Sequence, residues 1–189
     1  IQLSKATGRV KLTVLNTIAK SNQVQLSNKF SCQSGCSSCC YRMARITVAE
    51  ATIIYSNLIE TKQWGVVRPE ITRHLPISKN IDPIAWFKMR IPCPVLDQEK
   101  KTCRAYKVRP IFCSTHFVSS DSVTCDPWYT GGKAYIPEYQ QEIYDKAVKR
   151  MKESLGPLGI LGIELPIQSA LLFSERISVK TGLTFEQII

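Results

Sequence analysis

FSCQSGCSSCCYR, residues 30–42, carries four cysteines within nine positions, two of them adjacent, with a glycine just before the second. A chain uses such a run for disulfides, for metal, or for catalytic thiol chemistry. Ser, Gly, Gln and Cys form no regular structure unaided, so the run is expected on a loop, and the fold is expected to organise around it. The C-x3-C-x2-C spacing of Cys32, Cys36 and Cys39 lets several sulfurs converge without distant chain closure, as tetrahedral zinc and iron–sulfur sites require. Cys39 and Cys40 are awkward ligands for one ion, because successive side chains diverge. That pair points to two metals, a multi-iron cluster, or one cysteine that is not a ligand.

Working outward, ITVAEATIIYSNLIE (46–60) reads as a helix with Thr47 as N-cap and Glu50 three residues on, a capping box. Val48, Ala51, Ile54, Tyr55 and Leu58 give it an apolar face. ATGRVKLTVLNTIAKSNQ (6–23) is weakly amphipathic and predicts an N-terminal helix. Residues 63–92 read as irregular, interrupted at Pro69, Pro76, Pro83 and Pro92. PEYQQEIYDKAVKRMKESLGP (137–157) has proline in its first turn, acids early and bases late. Its stripe of Ile143, Ala147, Met151 and Leu155 stops at Gly156-Pro157. A last helix is expected from Ile167 to Lys180, stopping at Gly182, and LTFEQII (183–189) could begin another.

Four further cysteines, Cys93, Cys103, Cys113 and Cys125, lie in a turn-rich segment. The chain is 44% hydrophobic and long enough to bury a core, so eight cysteines in 189 residues are not needed as staples. Disulfide-dense chains carry above about 8% cysteine, roughly twice this density. Some cysteines could serve merely as small buried hydrophobes. A catalytic thiol needs a base, and only His74 and His116 exist. His116, three residues after Cys113, is placed beside the metal site; His74 is given no role. The formal charge is +10. Two zinc ions on eight thiolates would bring it to +6, and one four-iron cluster on four thiolates to +8, so an excess of base remains. Lys88, Arg90, Lys100, Lys101, Arg104, Lys107 and Arg109 gather around the second cysteine set. They could contact phosphate, but with no accompanying nucleic-acid module they read better as cations around an anionic thiolate site. DPWYTGGKAY (126–135) could be a binding loop or a cap over that site. No apolar run approaches the ~20 residues of a membrane span, and the first twenty residues lack secretion-signal regions.

The two cysteine sets together carry a resemblance. CQSGCSSCC is followed by Cys93-Pro94, Leu96, Cys103, Tyr106, Arg109-Pro110 and Cys113, with Cys125 able to serve as the eighth cysteine. Over about residues 30–128 this resembles the YkgJ-type cysteine-cluster family, described as zinc- or iron-chelating. The resemblance implies metal ligation by Cys32, Cys36, Cys39, Cys40, Cys93, Cys103, Cys113 and Cys125. The family usually has arginine where this chain has Ser114, which leaves the ligands in place and removes one cation. One branch comprises flagellin lysine-N-methylases, which use a cysteine-bound cluster and S-adenosylmethionine. This chain is much shorter and has no glycine-rich strand–turn–helix for a nucleoside. The C-x3-C-x2-C string also matches radical S-adenosylmethionine enzymes, but Ser38 stands where an aromatic usually does, and no run of βα units follows.

The expectation is therefore a mainly α protein with irregular cysteine-bearing loops, a single domain over 1–189. Its metal core would span about 30–128 and its helical C-terminal part about 135–189. The cofactor is an iron–sulfur cluster, 4Fe-4S favoured, or zinc, with Arg109, Tyr106 and His116 beside the ligands. Arg109 could donate to sulfur and offset thiolate charge. The role is structural or redox. The alternatives are a methylase-like enzyme and a zinc-stabilised module binding a protein or, less favoured, nucleic acid. The expected setting is a reducing, cytoplasmic one with no membrane span.

Overall fold

The computed structural model describes residues 2–28, 35–126, 128, 131, 138–155 and 162–181. Among these the protein is mainly helical, with seven α-helices and two small antiparallel sheets. Helix α1 spans Gln2–Asn28, longer than expected because no proline or strong stop falls within it. Strand β1 (Arg45–Thr47) leads directly into α2 (Val48–Glu60). The Thr47–Glu50 capping box forms as its sequence predicts: Thr47 Oγ1 accepts from Glu50 N at 3.2 Å, and Glu50 Oε2 accepts from Thr47 N at 2.9 Å.

Helix α2 is the central element. Ala51, Ile54, Tyr55 and Leu58 face a core shared with α3 (Trp64–Ser78) and α7 (Ile167–Thr181). Val48, Ala49 and Ile53 face a second core, against α1 and α6 (Glu138–Leu155). The expected stripe of Ile143, Ala147, Met151 and Leu155 is buried in α6. Pro137, Gly156-Pro157, Gly182 and LTFEQII lie outside the described residues, as do all of 126–135 except Asp126, Trp128 and Gly131.

The irregular reading of 63–92 is corrected. Helix α3 runs through Pro69 and Pro76, and α4 (Pro83–Lys88) starts with its proline in the first turn after the N-cap Asp82. Proline removes a local hydrogen bond. Burial of Trp64, Val67 and Ile71 against neighbouring elements offsets that loss, and no local pattern reports it. Trp64 stands edge-on to Tyr55 at 4.8 Å and donates from Nε1 to Glu175 Oε1 at 3.0 Å, tying α3 to α7. Trp64→Phe is expected to cost about 1–2 kcal/mol in urea denaturation, since Glu175 keeps only its pairing with Arg68.

Strand β1 pairs with β4 (Glu164–Pro166) in the register Ile46↔Leu165, which fixes the start of α7 beside the start of α2. Strands β2 (Leu96–Asp97) and β3 (Thr102–Cys103) form a hairpin. Asp97 Oδ1 accepts from Glu99 N and Lys100 N, shaping its turn. Helix α5 (Ile111–Thr115) follows Pro110 and packs on α1 and α6.

Candidate metal centre

Each cysteine is delivered by a different local device. Gly35 turns the chain at φ +89°, a conformation that favours glycine, just before Cys36. A 3-10 turn over Ser38–Tyr41 carries Cys39 and Cys40, closed by Cys40 N to Ser37 O at 2.8 Å. The Cys40 carbonyl accepts from Cys93 N at 2.7 Å, stitching the first cysteine run to the second. Cys103 sits on β3, opposite Leu96. Cys113 sits inside α5, and Cys125 closes a short 3-10 turn over Ser122–Cys125.

Cys36, Cys39, Cys40, Cys93, Cys103, Cys113 and Cys125 all line one open cavity of about 300 Å³. Arg109, Tyr106 and His116 line it too, so every expected site residue within the described set is brought to one place. Cys32 lies outside the described residues. Cys36, Cys39, Cys40, Cys93, Cys103 and Cys113 take part in no disulfide. Cys93, Cys103 and Cys113 pack against the core shared by α2, α3 and α7, so they rest on the rigid wall of the cavity.

Among the described residues, no three cysteine, histidine or carboxylate side chains are grouped to hold one metal ion. The thiols surround a space rather than meet at a point. They nevertheless feel one another. Burial pushes the Cys93 thiol up to about 12, with Cys103 adding to the rise. Burial also raises Cys113, reinforced by Cys93, Cys39 and Cys103. Cys103 is raised by burial, against the pull of the Arg109 guanidinium. Within the adjacent pair, the thiol hydrogen bond holds Cys39 down to about 7 and drives Cys40 up. A thiophilic metal would have to displace protons from most of these sulfurs as it binds.

Arg109 is a buried cation, 6% exposed. Its Nη2 donates to Asn22 Oδ1 of α1 at 2.8 Å, and its guanidinium lies 4.0 Å over the Tyr106 ring. Its Nη1 is buried without a hydrogen-bond partner. A buried guanidinium with a free donor, beside neutral thiols, suits a site whose sulfurs become anionic. The donor set of seven soft sulfurs suits iron or zinc over calcium or magnesium. The residues therefore fit a thiolate-bound metal group.

His116 is held down to about 4 by burial, with Arg42 adding to the effect, and is neutral at neutral pH. Arg42 Nη1 lies 3.2 Å from its Nε2, and the ring stacks on Phe112. Ser114, where the resemblance has arginine, is fully buried and donates to Ile111 O. Trp128 stands edge-on to Tyr41 and beneath Arg90, which places its ring against the first cysteine run. Of the basic residues around the second set, Lys101 and Arg109 line the cavity, while Arg104 pairs with Asp97 at 3.2 Å.

Sequence reasoning did not assign three groups that build the site. Arg42 lines the cavity directly after the cysteine run. Asn22 holds Arg109 from 87 positions away. Glu50, already used in its capping box, also accepts from Ile111 N at 2.9 Å and so holds the start of the helix that carries Cys113. Only Arg42 had a signal, its place next to the cysteines.

No helix among the described residues is long and apolar enough to cross a membrane. No curated protein and no solved structure matches the chain. A family model named CxxCxxCC, "Putative zinc- or iron-chelating domain", matches residues 31–129, slightly over half of the chain. The cysteine pattern that suggested such a family therefore holds, and the chain belongs to the CxxCxxCC family of zinc- or iron-chelating domains.

Proposed function

We propose that this protein holds one polynuclear thiolate-bound metal centre, of iron–sulfur type, in the cysteine-lined cavity. The observation that carries this reading is that seven cysteines from five separate segments line a single space of about 300 Å³. One space lined by all seven sulfurs suits a polynuclear group that several thiolates share.

Within this reading, Cys39, Cys93, Cys103 and Cys113 form the inner ligand set, and Cys32, Cys36, Cys40 and Cys125 the outer one. Arg109 offsets thiolate charge at Cys39 and Cys103, the two sulfurs whose acidity it raises. Ile54, Val95 and Ile167 keep water from the apolar wall. A bound iron–sulfur cluster supplies one-electron chemistry or substrate activation, whereas closed zinc sites supply folding energy. The metal core and the helical C-terminal part would fold as one domain, because α5, which carries Cys113, packs against α1 and α6. A reducing compartment would keep the thiols available.

The test is iron, zinc and acid-labile sulfide per chain, with the visible spectrum, on protein purified without oxygen or chelator. Iron with matching sulfide and a broad thiolate-to-iron absorbance are expected. A colourless protein with about two zinc ions per chain would replace this reading with a zinc-stabilised interaction module. Cysteines that titrate entirely as free thiols or disulfides would end both.

A further inference from the structure

We infer that the mouth of the cysteine cavity binds a small oxyanion, a carboxylate or phosphate group, on Arg42 and Lys101, with Arg109 behind it. The inference rests on the metal centre proposed above, and the site it names is the cationic part of the same cavity lining.

Among the described residues three cationic side chains line this cavity, Arg42, Lys101 and Arg109, and no carboxylate does. The nearby acids are already engaged. Asp97 pairs with Arg104 and accepts from two backbone N–H groups of its own turn. Glu50 is fully committed to Thr47 and Ile111. Among the described residues no carboxylate forms an ion pair with Arg42, Lys101 or Arg109.

The positions are graded in depth. Arg42 and Lys101 are exposed at the rim, where an anion from solvent meets them first. Arg109 is nine-tenths buried, with Nη1 unpartnered. The half-exposed Tyr106, stacked on Arg109, adds a phenol donor at the rim. A concave site with cations of one sign and low-dielectric walls focuses field on small anions, and guanidinium and ammonium donors bind oxyanions through charge-assisted hydrogen bonds. If the cations served only to balance metal-bound sulfur, an added anion would find no defined place.

The experiment titrates inorganic phosphate and, separately, acetate into the purified metal-containing protein by calorimetry. Ionic strength is held constant with chloride, and metal per chain is measured in parallel. Saturable binding of one anion per chain is expected. The Arg42→Ala/Lys101→Ala double variant should bind it about tenfold or more weakly per metal-loaded chain. Lys149→Ala, an exposed cation of α6, should bind as the unaltered protein does. Phosphate preferred over acetate would assign a phosphate ligand, and the reverse a carboxylate one. Absence of saturable binding by either anion, or equal binding by the double variant, overturns the inference. Protein that retains no metal refutes the metal centre by itself. Anion binding with the same dependence on Arg42 and Lys101 in that protein would still uphold the oxyanion site.

Discussion

Serine at Cys93, Cys103 or Cys113 is expected to strip the protein of its metal, while Cys36→Ser and Cys125→Ser leave most of it bound. The first three cysteines pack against the core of α2, α3 and α7. Their backbones are fixed by the Cys40–Cys93 hydrogen bond, the β2–β3 hairpin and α5. Neither Cys36 nor Cys125 is among the described residues packed on that core, and Cys36 directly follows the turn at Gly35. A sulfur on a rigid wall is preorganised, so its removal cannot be made good by movement of a neighbour. Loss of affinity should exceed the roughly 10–100-fold typical of changing a residue that merely supports a ligand. Since metal binding energy is folding energy in such sites, stability should fall by about 4 kcal/mol or more. Metal per chain and thermal unfolding, measured on all five variants, check this. Equal loss across the five would dissolve the inner and outer sets, and full retention in Cys113→Ser would remove that residue from the ligands.

These expectations show what could be read from the chain and what could not. The T-x-x-E of the capping box, the 3.6-residue stripe of α6 and the cysteine spacings are local patterns, and each reappears in the fold where its residues predict. Helix α3 was not legible, because Pro69 and Pro76 are local penalties whereas the burial of Trp64, Val67 and Ile71 comes from α2 and α7. The apolar face expected for α2 named one of its two buried sides and only Val48 of the other. Ala49 and Ile53 pack on α1 and α6, and a helix buried all round has no single stripe to find. At the site, the residue types were legible and their supports were not. Asn22 meets Arg109 only once α1 has packed on the segment after β3, and no spacing encodes an 87-residue separation.

Glu50 is the support with the largest consequence. Its side chain is 4% exposed, and both its oxygens are in use. Oε2 accepts from the backbone N–H and the hydroxyl of Thr47, each at 2.9 Å, and Oε1 accepts from Ile111 N at 2.9 Å. One carboxylate therefore joins the start of α2 to the start of α5, two residues before Cys113. Glu50→Ala leaves two buried backbone donors without acceptors and opens a cavity, at about 3–5 kcal/mol. Glu50→Gln turns an amide N–H₂ towards one of those donors and should cost about 2–3 kcal/mol. Metal affinity should fall in both variants, because α5 loses its anchor. Burial pushes the Glu50 carboxyl above its ordinary value. The hydrogen bonds from Thr47 and Ile111 oppose that rise, and Glu164 adds to it. Tyr144 and Cys113 also feel its charge. The native state thus keeps this proton to higher pH than the unfolded chain, whose carboxyl titrates near 4.3. Between those two values the native state binds more protons, so this contribution to stability is complete below the unfolded value and is lost as pH rises through the folded one. An amide does not titrate, so the stability gap between the unaltered protein and Glu50→Gln should narrow as pH rises from about 4.3. Urea denaturation of both proteins across mildly acidic to neutral pH measures that gap, with metal per chain followed at each pH. A gap that stays constant or widens with pH would mean that Glu50 is ionised throughout, held by its three donors despite its burial.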